Sequence, residues 1–359
     1  MALLSRLFGS KQGATAVRVL PADIAFTAQP KRTVLQAALD AGLAYPHQCR
    51  VGSCGTCKTR LVSGSVRELT DKSYILSDQE MRDGVILACQ SIPKSDLVID
   101  NPSLRADHVM HEVSSSVATI TAIAAMTHDI IRLDCALDQP IAYLAGQYAE
   151  LTTPDGESRH FSFIDPPATA PDVTTTARFY IRRVPGGAFT GHLFDHAKPG
   201  DKLTLRAPYG GFYLRPGAAP ILAVAGGSGL GPILAMLEQA RAERLARDAI
   251  ILFGARTQSD LYALERIEAL SRIWIARLRL FPILSAEPAH SSWSGARGFI
   301  HEWLTSANMP DLAEHHAYLC GPPAMIDATT ATLRASGIDA RHIHADAFTD
   351  RSSLTANAA

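Results

Sequence analysis

The chain has 359 residues, 47% hydrophobic and 19% charged, with a formal net charge of -1 and a pI near 6.9. That length accommodates two or three domains with separate cores, and the balanced charge gives no electrostatic basis for binding nucleic acid. No run of 18 or more consecutive apolar residues occurs, so no membrane-spanning helix is expected.

The opening segment "MALLSRLFGSK" carries a short apolar patch of Leu3, Leu4, Leu7 and Phe8, without the longer apolar core and cleavage site of a signal peptide. A frayed tail is the plain expectation, and a weak amphipathic contact with a membrane surface is the alternative. Of the six cysteines, Cys49, Cys54, Cys57 and Cys89 group by spacing, while Cys135 and Cys320 stand apart. This is no disulfide framework; it fits a reducing, cytoplasmic compartment in which thiols are kept for metal.

In chain order, "VRVL" and "DIAFTA" read as strands, and "RTVLQAALDAGL" as a helix capped by Thr33 with Gly42 near its end. After a loop, "KTRLVSG" reads as a strand, and "LSDQEMRDG" as a short helix from Ser77 to Gly84 leading into "VILACQ". A small mixed fold over residues 15–105, with one helix across a sheet, follows. Polar residues 99–116 read as a linker. Six short runs then follow: "VATITAIAAM", "DIIRLDCAL", "QYAELTT", "RHFSFI", "ARFYIRRV" and "KLTLRAP". They predict an antiparallel barrel over 113–216. Across 217–350 buried strands alternate with helices, from "PILAVAGG" to "HIHADAF", which predicts an open, doubly wound parallel sheet.

"HQCRVGSCGTCK" spaces its thiols C-x4-C-x2-C, and Cys89 follows 31 intervening residues later. This is the plant-type spacing for a [2Fe–2S] cluster: three thiolates converge from one tight loop and a fourth arrives from elsewhere. Gly52, Ser53, Gly55 and Thr56 let backbone N–H groups approach the sulfur atoms. A structural zinc site ordinarily uses two C-x2-C hooks, and only one is present. His47, beside the loop, is either a solvated residue or one that tunes the cluster.

"GESRHFSF" alone is a barrel strand of alternating residues. "YIRRVPGGAFTGHLF" adds a Gly-Gly turn ahead of a helical stretch, where backbone N–H groups can bind phosphate. "AVAGGSGLGPI" fails G-x-G-x-x-G, because Pro232 takes the third place, yet it still sets a small-residue turn between strand and helix. "YLCGPPAM" lies at the carboxyl end of the fourth strand of the same sheet, which places Cys320 toward a nicotinamide rather than leaving it an inert thiol.

These motifs, in this order, resemble the ferredoxin–NADP reductase superfamily with an N-terminal plant-type ferredoxin, the architecture of reductase components of bacterial oxygenases. "VGSCGTCK", "VPGGAFTG", "TLRAPYG", "FGARTQSDLY", "YLCGPPAMIDA" and "ADAF" look closest to the reductases of xylene-type monooxygenases. The resemblance implies a multidomain α+β and α/β protein: a β-grasp ferredoxin domain, a β-barrel FAD domain and a parallel-sheet NAD domain. It implies cluster ligation by Cys49, Cys54, Cys57 and Cys89. It also implies Arg159 on the FAD pyrophosphate, Phe161 packed on the flavin, Ser162 near flavin N5, and Gly187 with Thr190 at a second phosphate contact. Gly226, Gly227 and Gly229 would face the nicotinamide dinucleotide, Cys320, Gly321 and Pro322 would border its ring, and Phe348 would lie near the flavin's other face. Ser162 and Cys320 are the implied catalytic pair. Where the family often has Tyr, Phe161 lacks the hydroxyl. Arg256 could meet a 2′-phosphate, but Asp260 nearby would repel one, and the resemblance leans to NADH. The activity so implied is NADH-dependent electron transfer through FAD and the cluster to a terminal oxygenase, which can be membrane-bound. The alternatives are service to a non-oxygenase partner such as a deoxysugar dehydrase, or a zinc-stabilised binding module without catalysis.

Overall fold

The computed structural model describes residues 13–43, 45–47, 50–52, 55, 57–101, 104, 111–167 and 173–348. They form two compact units, Met1–His111 and Glu112–Ala359. The apolar N-terminal patch, the middle of the expected linker (102–103 and 105–110), Cys49 and Cys54 lie outside the described residues.

In the first unit the strands are β1 (Thr15–Leu20), β2 (Ile24–Ala28), β3 (Lys58–Ser63), β4 (Val66–Glu68), β5 (Val85–Leu87), β6 (Ser91–Pro93) and β7 (Leu97–Asp100). Five of them form a sheet ordered β2-β1-β7-β3-β5, with β1 and β7 parallel. Helix α1 (Val34–Asp40) buries Val34, Leu35, Ala37 and Ala38 against Val17, Val19, Leu97 and Ile99, the helix-across-sheet arrangement expected. Thr33 caps it by accepting from Gln36 N–H at 3.1 Å. Helix α2 spans only Asp78–Arg82, shorter than expected, because Ser77 and Glu80 close a capping box at its start and Asp83 already leaves the helix. The expected linker is trimmed at both ends, since β7 runs to Asp100 and the next strand begins at Ser114.

The second unit opens with β8 (Ser114–Ala125), β9 (Ile130–Ala142), β10 (Tyr148–Thr152), β11 (Ser158–Ser162), β12 (Val173–Arg182) and β13 (Lys202–Tyr209). They pair antiparallel in the order β11-β10-β13-β8-β9-β12. A bridge between Phe163 and Phe179 brings the ends of this sheet together. Alternate residues point inward: Leu133, Cys135 and Leu137 from β9, Ala177, Phe179 and Ile181 from β12, Leu203, Leu205 and Ala207 from β13. Helix α3 (Ala188–Asp195) inserts Phe189 and Leu193 into that core.

The chain continues through β14 (Ile221–Gly226), α4 (Leu230–Ala242), β15 (Ala249–Ala255), α5 (Leu264–Ile273), β16 (Leu278–Leu284), β17 (Ala296–Arg297), α6 (Ile300–Trp303), β18 (His316–Gly321), α7 (Pro323–Ala335) and β19 (Ile343–Ala347). The strands are parallel and ordered β17-β16-β15-β14-β18-β19. Period-2 alternation explains the double winding. Ile221, Ala223, Ala225, Ile251 and Phe253 pack under α4 and α5, while Leu222, Val224, Ile250 and Leu252 pack with α6 and α7.

Barrel and sheet share one core, since Ala145, Ile164, Tyr180 and Phe212 of the former pack with Leu230, Ile233 and Leu234 of α4. A charged joint runs beside it. Arg266 of α5 donates to both carboxylate oxygens of Glu238, each at 2.6 Å, to the Ile164 carbonyl at 2.6 Å and to Asp165 at 3.1 Å. Arg178 grips the same Asp165 at 2.5 and 2.7 Å. Burial would lower the Arg266 pKa, but its bond to Glu238 raises it, so the charge is locked in. Substituting Arg266→Met strands Glu238 and Asp165 without their cation. Breaking a buried pair costs about 3–5 kcal/mol, and with Arg266 and Glu238 side chains still 22% and 25% exposed the lower end, roughly 3 kcal/mol, is expected. Calorimetry should show the second unit's transition lowered by roughly 6–12 °C; an unchanged transition would refute the joint.

Candidate functional site

Three places collect the candidate residues. In the first unit, Cys57 immediately precedes β3 and Cys89 lies in the 3-10 turn Ala88–Gln90 after β5. Strands β3 and β5 pair antiparallel, and Ala88 N–H donates to the Cys57 carbonyl at 3.1 Å, so sheet register makes the two cysteines neighbours along the backbone. Both are buried. Gly52 and Gly55 take φ of +85° and +70°, left-handed backbone that turns the chain at each of these two positions. His47 is buried at 3% exposure rather than solvated. Its Nδ1 donates to the Tyr45 carbonyl at 2.7 Å, which leaves Nε2 to accept from Arg50 at 3.2 Å. The soft donors and tight loop fit an iron–sulfur cluster.

The second place is on the barrel. Arg159, Phe161 and Ser162 all lie on β11. Arg159 is partly exposed, donating to the Ser158 carbonyl at 2.6 Å and facing Glu157 at 3.2 Å. Phe161 contacts Phe189 with ring centroids 5.3 Å apart, tying the strand to α3. Ser162 is 7% exposed, and its hydroxyl has no hydrogen-bond partner among the described residues. Gly187 caps α3 without a side-chain bond, so first-turn N–H groups stay available. The Thr190 hydroxyl accepts from Val184 N–H at 3.1 Å and thereby shapes the Gly-Gly turn. A lone hydroxyl, an uncapped helix and a nearby guanidinium fit a cofactor with a polar ring edge and a pyrophosphate.

The third place is where β14 and β18 end side by side. A 3-10 turn, Gly227–Gly229, leads from β14 into α4, which lacks a side-chain cap. A Cβ at Gly229 would collide with the Cys320 carbonyl, and one at Gly226 would lie 2.7 Å from Met325 Sδ and 2.9 Å from Pro322 Cδ. Gly226, Gly229, Cys320, Gly321 and Pro322 are thus one packed junction. Tyr262 donates its hydroxyl to the Gly227 carbonyl at 2.9 Å, and Phe348 N–H donates to the Gly321 carbonyl at 2.9 Å. Cys320 is fully buried; burial, then the nearby Asp346, push its thiol well above its usual pKa. Asp346 is its register partner on β19, and burial raises that carboxyl to about 7.

Arg256 lies apart from this junction, just beyond β15. It donates to Asp260 at 2.9 Å and to barrel residue Asp129 at 3.0 Å, and faces His128 at 3.3 Å. Arg182 of β12 also donates to Asp129, at 3.0 Å. Burial would raise the Asp129 pKa, but Arg182 and Arg256 draw it below the usual carboxylate value; Arg256 does the same for Asp260. A separate crevice of about 500 Å³ is lined by Arg132, Arg178 and Arg266. Those guanidiniums already face Asp134, Asp165 and Glu238, so it offers no unmatched positive charge.

Comparison with known proteins fits this arrangement. Residues 17–94 match the 2Fe-2S iron-sulfur cluster binding domain, 117–213 the oxidoreductase FAD-binding domain, and 223–331 the oxidoreductase NAD-binding domain. The chain is 41% identical over 323 residues to the xylene/toluene monooxygenase electron transfer component XylA of Pseudomonas putida, covering 89% of each. It belongs to the ferredoxin–NADP reductase superfamily. The phenol 2-monooxygenase reductase component DmpP of Pseudomonas sp. strain CF600 is 34% identical over 343 residues, covering 92% of this reductase and 94% of that protein. The crystal structure of the Amycolatopsis cytochrome P450 reductase GcoB superposes with a TM-score of 0.73 at 31% identity, over 94% of this chain and 99% of that one. The cofactors are therefore a [2Fe–2S] cluster, FAD and NAD(H), and a zinc-stabilised module without catalysis is set aside. Among the described residues no helix is long and apolar enough to cross a membrane.

Sequence reading of this reductase missed Asp346, although an acid at inward parity in "HIHADAF" was a usable signal. It missed Asp129 and Arg182 too, for which no local signal exists. An unperturbed Asp ionises near 3.8, so between about pH 4 and 7 native Asp346 holds a proton that the unfolded chain has lost. Stability therefore falls as pH rises through that window, by on the order of 4 kcal/mol in all. Half-buried His344, lowered to about 3, and His316, lowered to about 4, slope the opposite way below pH 6.5. Asp346→Asn removes only the first contribution. Its stability gain over wild type in urea unfolding should be near zero at pH 4 and reach a few kcal/mol at pH 7; a gain that does not vary with pH would contradict the assignment.

Proposed function

We propose that the protein is the NADH-dependent reductase of a multicomponent oxygenase and delivers electrons singly to a separate hydroxylase of aromatic or alkyl substrates. The domain order and the oxygenase-linked names of the relatives support this reading. The observation that carries it is the junction of glycine turns at the ends of β14 and β18, built into one unit with the Ser162 barrel and one chain with the neighbouring cysteines. Bound FAD would supply the conversion between the electron pair of a hydride and single electrons.

In this reading Cys49, Cys54, Cys57 and Cys89 hold the cluster. Arg159, Gly187 and Thr190 organise the FAD phosphates, Phe161 supports the ring, and Ser162 presents its hydroxyl toward N5. Gly226, Gly227 and Gly229 admit the dinucleotide, while Cys320, Gly321 and Pro322 border its nicotinamide. Phe348, held by its N–H bond to the Gly321 carbonyl, would lie near the flavin's other face, in the place nicotinamide would take. The apolar side chains exclude water and hold both rings in the geometry for transfer. Thiols kept for cluster ligation support a reducing, cytoplasmic setting. Its oxygenase partner can sit at a membrane, where Leu3, Leu4, Leu7 and Phe8 would make contact.

Mixing oxidised protein anaerobically with NADH should bleach the flavin and then the cluster; flavin bleaching without cluster reduction would sink the relay. Cys54→Ser should abolish cytochrome c reduction while sparing much ferricyanide reduction, and equal loss of both would contradict the division of labour.

Preference for NADH follows from Arg256, whose charge is already matched by Asp260 and Asp129. A 2′-phosphate reaching Arg256 would meet a guanidinium already compensated by the Asp260 and Asp129 carboxylates, the latter shared with Arg182. Asp260→Asn should raise the NADPH-to-NADH ratio of kcat/KM about tenfold, equivalent to about 1.4 kcal/mol. An unchanged ratio would place the discrimination elsewhere.

A further inference from the structure

On the premise that Cys89 ligates the cluster, we propose that Gln90 is a positioning residue that raises the cluster's reduction potential. It does so by donating an amide N–H to the Cys89 sulfur while pinning the ligand loop. Gln90 Nε2 lies 3.6 Å from Cys89 Sγ and 3.1 Å from the Arg50 carbonyl. A ligating thiolate and a carbonyl only accept, so the amide must turn its nitrogen toward both, and its two hydrogens suffice for the two bonds. One side chain thus joins segments 40 residues apart in sequence, the loop that opens the site and the turn that completes it.

The backbone around Gln90 is fixed as well. Its carbonyl accepts from Leu69 N–H at 2.8 Å, and it closes the 3-10 turn Ala88–Gln90. The side chain lies across Gly52, where a Cβ would come within 2.8 Å of Gln90 Cγ. Glycine at 52 therefore provides the room in which Gln90 spans the loop. An N–H directed at a ligand sulfur withdraws electron density from it and favours the form with one more electron. A bond to a charged acceptor is about twice as strong as a neutral one, so this single donor has leverage on the redox equilibrium.

The test is an anaerobic redox titration of the full-length holoprotein, reading the cluster by EPR and the flavin by absorbance. Variants Gln90→Leu and Gln90→Glu are compared with wild type, with iron and sulfide content measured on each. Gln90→Glu keeps the length that packs over Gly52 but has no N–H to donate. Both variants should hold a full cluster whose one-electron reduction constant is lowered about tenfold, about 59 mV for this couple, with the FAD potential unmoved. A full cluster at wild-type potential in either variant would overturn the proposal. Cluster loss in Gln90→Leu alone leaves Gln90→Glu to decide; loss in both overturns it, because Gln90 would then serve retention and not potential. Cys89→Ser is the separate control. An unaltered [2Fe–2S] spectrum there would sink the ligand premise, whatever the Gln90 potentials show.

Discussion

Two turns leave neighbouring parallel strands so close together that no side chain fits between them. Gly229 rests on the Cys320 carbonyl, and Gly226 rests on Pro322 and Met325. This contact determines much of the second unit. It fixes the point where the strand order reverses, between β14 and β18, and open parallel sheets bind ligands at that point. It also seals Cys320 beneath the junction, so the thiol is a packed neutral group beside Asp346 rather than an exposed nucleophile.

A second constraint keeps that junction registered against the barrel. An apolar core common to both is flanked by two separate groups of ion pairs, one centred on Arg266 and the other on Asp129. Partly buried pairs of this kind add little net stability over apolar packing, but losing one partner is costly. Their effect is orientational. Wherever a hydride must pass between two rings, small errors in placement are expensive, and the joint opposes them.

Much of this was legible in the sequence because it depends on periodicity and spacing. Alternating apolar residues in "ILAV" and "IILF" announce strands buried on both faces, and the C-x4-C-x2-C loop announces its ligand chemistry. The six short barrel runs are marked by Gly, Pro and Asp between them. What escaped depends on tertiary pairing. His47 looked like a loop residue beside polar neighbours, yet Tyr45 and Arg50 enclose it. Asp129 lies in a hairpin turn that would ordinarily be solvated, and only the folded chain brings Arg182 and Arg256 to it. Helix α2 ran short because a local capping box set its start and Asp83 ended it, a boundary that periodicity does not report.

The two cysteines remote from the loop bear on how the protein endures its surroundings. Cys135, inside the barrel, has its thiol pushed up to about 12 by burial, and Cys320 is raised likewise. Oxidants attack the thiolate, and neither residue forms one near neutral pH. Reduced flavin that meets dioxygen releases peroxide. The unit that would hold the flavin presents no sulfhydryl ready to be converted to sulfenic acid.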